Sequence, residues 1–277
     1  MSATESQASA PIDTQLDMAT EGPRMTIWEH IGELRMRLVR IGIALLIGMI
    51  VGWTFRVDIL AWLLKPYESA WVGQNLPGSP ELQTLSPADV FVGYLQLSLA
   101  AAIVCSAPII FYQLWAFISP GLYKKEKRFI APFVIFSTTL FMSGVAFAYY
   151  VVFPFTFNYF FSLLGPVGQG GTVLTQRPTL TLYLDFYTEL LIACGLAFEL
   201  PLFISFLIMA RIVTPMQLVK FSRWAIIGSF LIGAVVTPGP EISSQIAVSG
   251  ALIGLYFLSM AIAFVIRPRS LPITNAS

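Results

Sequence analysis

Three groups of residues in this chain could do chemistry. The first is a short run from Trp115 to Arg128, in which Lys124, Lys125, Lys127 and Arg128 surround one carboxylate, Glu126. The second is Glu29, Glu33 and Arg37, which recur at every fourth position and so share one face of a helix. The third is Glu199, set in the apolar stretch Gly195-Leu-Ala-Phe-Glu-Leu-Pro201. Two acids on a basic rim can select a ligand that presents adjacent cations. Arginine fits best, because its planar guanidinium can give a carboxylate two hydrogen bonds at once. The competing reading is a solvated charge run whose bases fix topology and whose exposed ion pairs contribute only about 0–1 kcal/mol. Glu199 is a different case, since an ionised side chain in hydrocarbon is costly unless it is neutral, hydrated or paired. Pro201 removes the amide that would have bonded the Ala197 carbonyl, so a kink and a free acceptor are expected beside that acid. The alternative for Glu199 is a structural hydrogen bond inside a helix bundle, and that reading is favoured for Gln113 and Gln245.

Catalytic and metal chemistry find no footing. The one histidine, His30, precedes the first apolar segment, so a buried serine would lack its base and a His-rich metal site is excluded. Asp185 and Glu189 stand one turn apart near a segment boundary and read as solvated interfacial carboxylates rather than an aspartyl pair. Gly165 to Pro178 reads as a Gly/Pro loop without the Lys-Ser/Thr that completes a phosphate-binding loop. Cys105 and Cys194 lie in apolar runs, where they act as small buried hydrophobes rather than as a disulfide. The expectation is a chain that is not an enzyme and carries no metal or cofactor.

The elements that must position these groups are apolar helices. With 56% hydrophobic and 11% charged residues and a mean hydropathy of +0.76, against roughly a quarter charged in an average soluble chain, the sequence belongs in a bilayer. Residues 1–25 read as a disordered polar tail. Thr26-Ile-Trp-Glu29 fits a capping box that opens an amphipathic helix at the membrane surface, with Ile27, Ile31, Leu34 and Leu38 at helical spacing. A first span follows over Val39 to Phe55. Arg56 to Pro87, rich in proline, reads as an external loop with short helical pieces. Ser86-Pro-Ala-Asp89 caps a second helix running to about Ile118; at about 45 Å it exceeds the ~30 Å hydrocarbon core, so it must tilt or bend, with Pro108 as the bend. Further spans are expected over Phe129 to Phe153, Leu182 to Met209, a fifth helix capped by Thr214 and ending before Thr237, and Gln245 to Ile266. The purely apolar part of the fifth helix, between Arg223 and Thr237, measures only about 20 Å.

Six spans place both termini on one side. Thirteen bases fall on that side (Arg24, Arg35, Arg37, Arg40, Lys124, Lys125, Lys127, Arg128, Arg211, Lys220, Arg223, Arg267 and Arg269) against Arg56, Lys65 and Arg177 opposite, which makes the terminal side cytoplasmic. The expected organisation is a polar tail over 1–25, one six-helix membrane domain over 26–266 and a short cytoplasmic tail over 267–277. A proton-coupled secondary transporter centred on Glu199 remains the alternative, although it would call for matching halves with interrupted helices, and no such pairing is visible.

Five motifs occur in order: His30-Ile-Gly-Glu-Leu-Arg35, Ser106 to Tyr123 with Glu126, Phe147-Ala-Tyr-Tyr-Val-Val-Phe-Pro154, Phe198-Glu-Leu-Pro201 and Thr237-Pro. With them the chain resembles the TatC family, the receptor subunit of the twin-arginine protein translocase, over about residues 26 to 266. The resemblance implies an all-α, cup-shaped bundle of six transmembrane helices with both termini cytoplasmic, in a bacterial or archaeal cytoplasmic membrane. It implies that Glu126, with Leu122, Tyr123 and Lys124 in the same loop, binds the twin-arginine signal peptide of folded cargo. Glu33 and Arg35 would form the companion surface. Glu199 resembles a membrane-embedded acid of the concave face. Thr237 and Gln245 resemble a polar patch that docks single-span TatA-type and TatB-type partners, although Gly239 stands as an extra residue beside it and Ala234 replaces a bulkier side chain. Export would draw on the proton gradient.

Overall fold

The computed structural model describes residues 27–118, 130–167, 172–174, 177–210, 212–237 and 242–266. Helix α1 (Ile27–Thr54) is continuous, so the expected surface helix and first span are one element. A 77° bend then leads into α2 (Arg56–Gly73). The first part of the stretch from Arg56 to Pro87, expected to be a loop with short helical pieces, is thus an 18-residue helix, and the loop is confined to residues 74–86. The helix tolerates Pro66 because a side chain from elsewhere replaces the missing amide, as described below. The bend is stabilised by Arg56, whose guanidinium donates to the Trp53 carbonyl at 2.8 Å and lies over the Trp53 and Tyr94 rings at 4.9 and 5.5 Å. A helix end is thereby given a donor, and the cation an aromatic seat.

Helix α3 (Pro87–Ile118) contains Pro108 without interruption. Its start is the expected cap: Asp89 accepts from the Ser86 and Leu85 amides at 2.9 and 3.0 Å, and Ser86 Oγ accepts from Ala88 N–H at 3.3 Å. The third span is α4 (Ile130–Phe147), a π-helical turn at Ala148–Val152, and α5 (Phe153–Ser162). A two-stranded antiparallel ribbon follows, β1 (Gly165–Val167) with β2 (Thr172–Leu174). The Gly/Pro stretch is therefore partly strand, which periodicity over three residues could not reveal. Helices α6 (Leu180–Ala197) and α7 (Leu200–Met209) make the fourth span, α8 (Pro215–Val236) the fifth and α9 (Ile242–Ile266) the sixth. Thr214 and Gln217 form a complete capping box at the start of α8. Among the described residues five stretches are long and apolar enough to cross a membrane, and the bent α1–α2 pair, taken as one span, makes a sixth. The Thr26 capping box, both tails and the basic loop at 119–129 lie outside the described residues.

Two aromatic and aliphatic clusters stabilise opposite ends of the bundle. Tyr67 and Trp71 of α2 pack with Phe153, Phe157 and Phe161 of α5 and with Tyr183 and Tyr187 of α6, away from the termini. Toward the termini, Phe111 and Trp115 of α3 meet Phe141 of α4, with Phe133 and Phe206 against them. Cys194 is buried as expected, whereas Cys105 is exposed; neither is in a disulfide. Helices α1 and α3 approach each other closely. A methyl group on Gly52 would sit 2.9 Å from the Ser98 carbonyl oxygen, and one on Gly48 3.0 Å from Ala102 Cα. Ser106 Oγ crosses the same seam to the Ala44 carbonyl at 3.1 Å. In lipid, where no hydrophobic force draws apolar helices together, such small-residue seams let backbones pack. Gly52→Leu is expected to destabilise the purified protein by about 1–3 kcal/mol, read as a lower melting temperature. Gly42→Leu, at a position with nothing within 4 Å, serves as the control and is expected to melt like the parent.

Candidate functional site

At the terminal end of the bundle, α1 and α3 place three polar side chains together. Arg37 donates through Nε to Glu33 Oε1 at 3.1 Å, and its Nη2 makes a second, close contact with the same oxygen. Its Nη1 reaches Gln113 Oε1 on α3 at 3.3 Å. Helical spacing explains the first pair; Gln113, only 6% exposed, explains why the guanidinium stays folded against the bundle. Glu33 Oε2 is left buried with no hydrogen-bond partner among the described residues. A carboxylate oxygen in that state is an acceptor waiting for a donor, and a cationic donor satisfies it best. His30 stacks on Phe117 at 4.4 Å and ties the start of α1 to the last turn of α3. Arg35 is exposed and does not join the cluster. Leu122, Tyr123, Lys124 and Glu126 lie in the stretch outside the described residues.

Glu199 stands in the two-residue break between α6 and α7, as the N-cap position of α7. The backbone there is bridged by Glu199 N–H to the Leu196 carbonyl at 3.1 Å, and the helix resumes with Phe203 N–H to the Glu199 carbonyl at 2.9 Å. Pro201, the second residue of α7, is the expected cause of the break. The carboxylate is half-buried with the Ser137 hydroxyl beside it, while Oε1 has no partner among the described residues. Ser137 is fully buried and accepts from Trp115 Nε1 at 2.8 Å. Trp115 in turn packs on Phe133 and Phe206. A polar line thus runs from the last turn of α3, immediately before the basic loop, through α4 to the intramembrane acid.

Thr237 and Gln245 each bond the backbone of the last turns of α8. Thr237, 2% exposed, donates to the Gly233 carbonyl at 2.7 Å, and Gln245 Nε2 approaches the Phe230 carbonyl at 3.4 Å. Both polar groups therefore turn toward the α8 backbone. Asp185 and Glu189 are exposed, as expected, and Gln96 donates to Asp185 at 2.7 Å.

Residues 29–250 match the family model described as TatC, Sec-independent protein translocase protein. A TatC of Helicobacter pylori is 37% identical over 240 residues, covering 86% of this chain and 89% of that protein. A TatC of Aquifex aeolicus is 35% identical over 238 residues, covering 85% and 93%. A crystal structure of the twin-arginine translocase receptor TatC superposes with a TM-score of 0.70 at 33% identity, covering 86% of this chain and 99% of that one. The chain belongs to the TatC family. It is a multi-pass membrane protein and a component of the Sec-independent protein translocase, and so not an enzyme. The transporter alternative centred on Glu199 gives way to that assignment.

Against the family expectations, this TatC-family chain adds residues that sequence reasoning did not place. Arg37 holds Glu33 and is itself anchored on Gln113; the four-residue step marked Arg37, but nothing local pointed across to α3. Ser137 lies beside Glu199 and is held by Trp115, and the available signal was a tryptophan N–H inside a span, which needs a partner when buried. Arg37→Leu is expected to leave the Glu33 carboxylate without its cation and to destabilise the protein by about 1–3 kcal/mol, with Glu33→Gln in the same chain recovering part of the loss. Melting curves of the two single variants and the double variant measure it; strictly additive losses would show that the pair is uncoupled.

Proposed function

We propose that this chain is the receptor of the translocase and that its terminal rim binds the twin-arginine signal peptide of folded cargo. The observation that carries the reading is Glu33: one oxygen is held by Arg37 and the other is buried without a partner among the described residues. An incoming guanidinium supplies donors to that free oxygen, and Glu126, with Leu122, Tyr123 and Lys124, is the second element of the reading, carried by the family resemblance of that sequence motif. Two acids then match two consecutive arginines, a bidentate geometry that lysine cannot reproduce. Arg35, exposed on the same helix as Glu33, is assigned to the polar residues flanking the arginines.

In the same reading Thr237 and Gln245 mark the docking end for single-span TatA-type and TatB-type partners. Support comes from α8, whose Phe221, Trp224, Ile227, Leu231 and Val235 are exposed, an apolar face that another transmembrane helix can cover. Glu199 serves as the embedded acid of the transport step, driven by the proton gradient across a bacterial or archaeal cytoplasmic membrane with both termini in the cytoplasm. In a strain whose only TatC is the Glu126→Ala variant, a twin-arginine reporter is expected to lose at least about tenfold in export, the effect of roughly 1.4 kcal/mol. A general-secretory reporter is expected to be unaffected. Normal export of the twin-arginine reporter would sink the assignment of Glu126.

A further inference from the structure

Pro66 interrupts α2 in a way the rest of the fold answers. With no amide of its own, Pro66 leaves the Trp62 carbonyl without its helical donor, and Tyr149 OH donates to that carbonyl at 2.8 Å. The two rings lie stacked at 3.8 Å with an interplanar angle of 3°. Tyr149 is delivered there by the π-helical turn at Ala148–Val152, where the extra residue widens the third span. Between the proline of α2 and that widened turn lies a cavity of about 290 Å³, lined by Lys65, Ser69, Ala70, Tyr150, Pro154 and Asn158 together with the Pro66 and Tyr149 rings.

The two sides of this cavity differ in chemistry. Pro66, Ala70, Pro154 and the tyrosine rings form an apolar wall. The opposite rim carries the Lys65 ammonium, the Ser69 hydroxyl and the Asn158 amide, which uses one N–H on the Pro154 carbonyl and keeps a second. Lys65 is exposed, and the described ion pairs join Arg37 to Glu33 and Arg177 to Glu81. Its charge therefore meets no carboxylate at ion-pair distance among the described residues. Trp62 and Tyr150 are exposed beside it, the aromatic signature of a lipid–water boundary, on the face opposite the termini. A cation at that depth, above an apolar wall, complements an anionic head joined to an acyl chain.

We propose that this cavity binds one anionic phospholipid of the leaflet opposite the termini, its phosphate on Lys65 and Asn158 and its acyl chain along Pro66 and Pro154. The lipid would cover the joint at which α2 is fastened to the third span. A free phosphate ion shares the head-group chemistry but would leave the apolar wall uncovered.

Native mass spectrometry of the full chain in detergent tests this, with phosphatidylglycerol and phosphatidylethanolamine added separately. The expected result is one phosphatidylglycerol retained per chain in preference to phosphatidylethanolamine, lowered about fivefold by Lys65→Gln, the effect of one cation at a membrane surface. Lys65→Arg should keep it. Ser69→Trp, at an exposed position on the rim, should block retention while leaving the melting temperature unchanged in lipid-free detergent. Equal retention of the two lipids, undiminished retention by Lys65→Gln, or displacement by excess inorganic phosphate would overturn the proposal. The readout is binding alone, so it stands or falls separately from export.

Discussion

Every break in this bundle is constrained by one requirement: a backbone polar group in or near hydrocarbon must find a partner within the protein. The bend after α1 is given the Arg56 guanidinium on the Trp53 carbonyl. The proline of α2 is given Tyr149. The break at Glu199 is given a tight turn through Leu196, and the Ser137 hydroxyl lies beside its carboxylate. In each case a side chain or a local turn does what water would do in a soluble protein. The irregular points of the fold are consequently its best-specified points, and the intramembrane acid sits at one of them.

Much of this was legible from pattern. Ser86 and Thr214 announced their helices because a cap needs a short hydroxyl side chain at one position and an acid or amide three residues on, and both caps form. Pro201 next to Glu199 correctly forecast a broken fourth span. The positions of α2 and the ribbon were not legible, and for different reasons. The prolines at 66, 77 and 80 argue against helix by propensity, yet only Pro66 falls inside α2, and there the helix is rescued by Tyr149, some eighty residues away. The ribbon is too short for an alternating pattern to show. The boundary between the expected surface helix and the first span did not exist, because a helix that leaves the interface for the bilayer need not change its hydrogen bonding.

The candidate site was legible in residue type and only partly in geometry. Spacing placed Glu33 and Arg37 together, while Gln113 needed the crossing of α1 and α3, which depends on Gly48 and Gly52 allowing close approach. The two acids pointed to paired cations, and family resemblance supplied the signal peptide that would carry them. What the structure adds is an asymmetry within one carboxylate: Oε1 of Glu33 is engaged by Arg37 and Oε2 is not engaged among the described residues. A second asymmetry lies on the line from Trp115 to Glu199. The tryptophan belongs to the last turn of α3, so a displacement of that helix end has a packed route toward the acid. The route consists of one hydrogen bond to Ser137 and two aromatic contacts, and coupling through it requires the helix ends to move together.

The central claim is that the rim around Glu33 receives the arginine pair of the signal peptide. Photo-crosslinking tests it most directly, using a labelled twin-arginine signal peptide and membranes containing the chain with a photoreactive residue in place of Leu34, in the first half of α1, or of Phe55, just beyond its far end, both exposed. The account predicts adducts from position 34 that disappear when the two arginines become lysines, and none from position 55. Adducts of equal strength at both positions, or adducts at position 34 that ignore the lysine replacement, would contradict it.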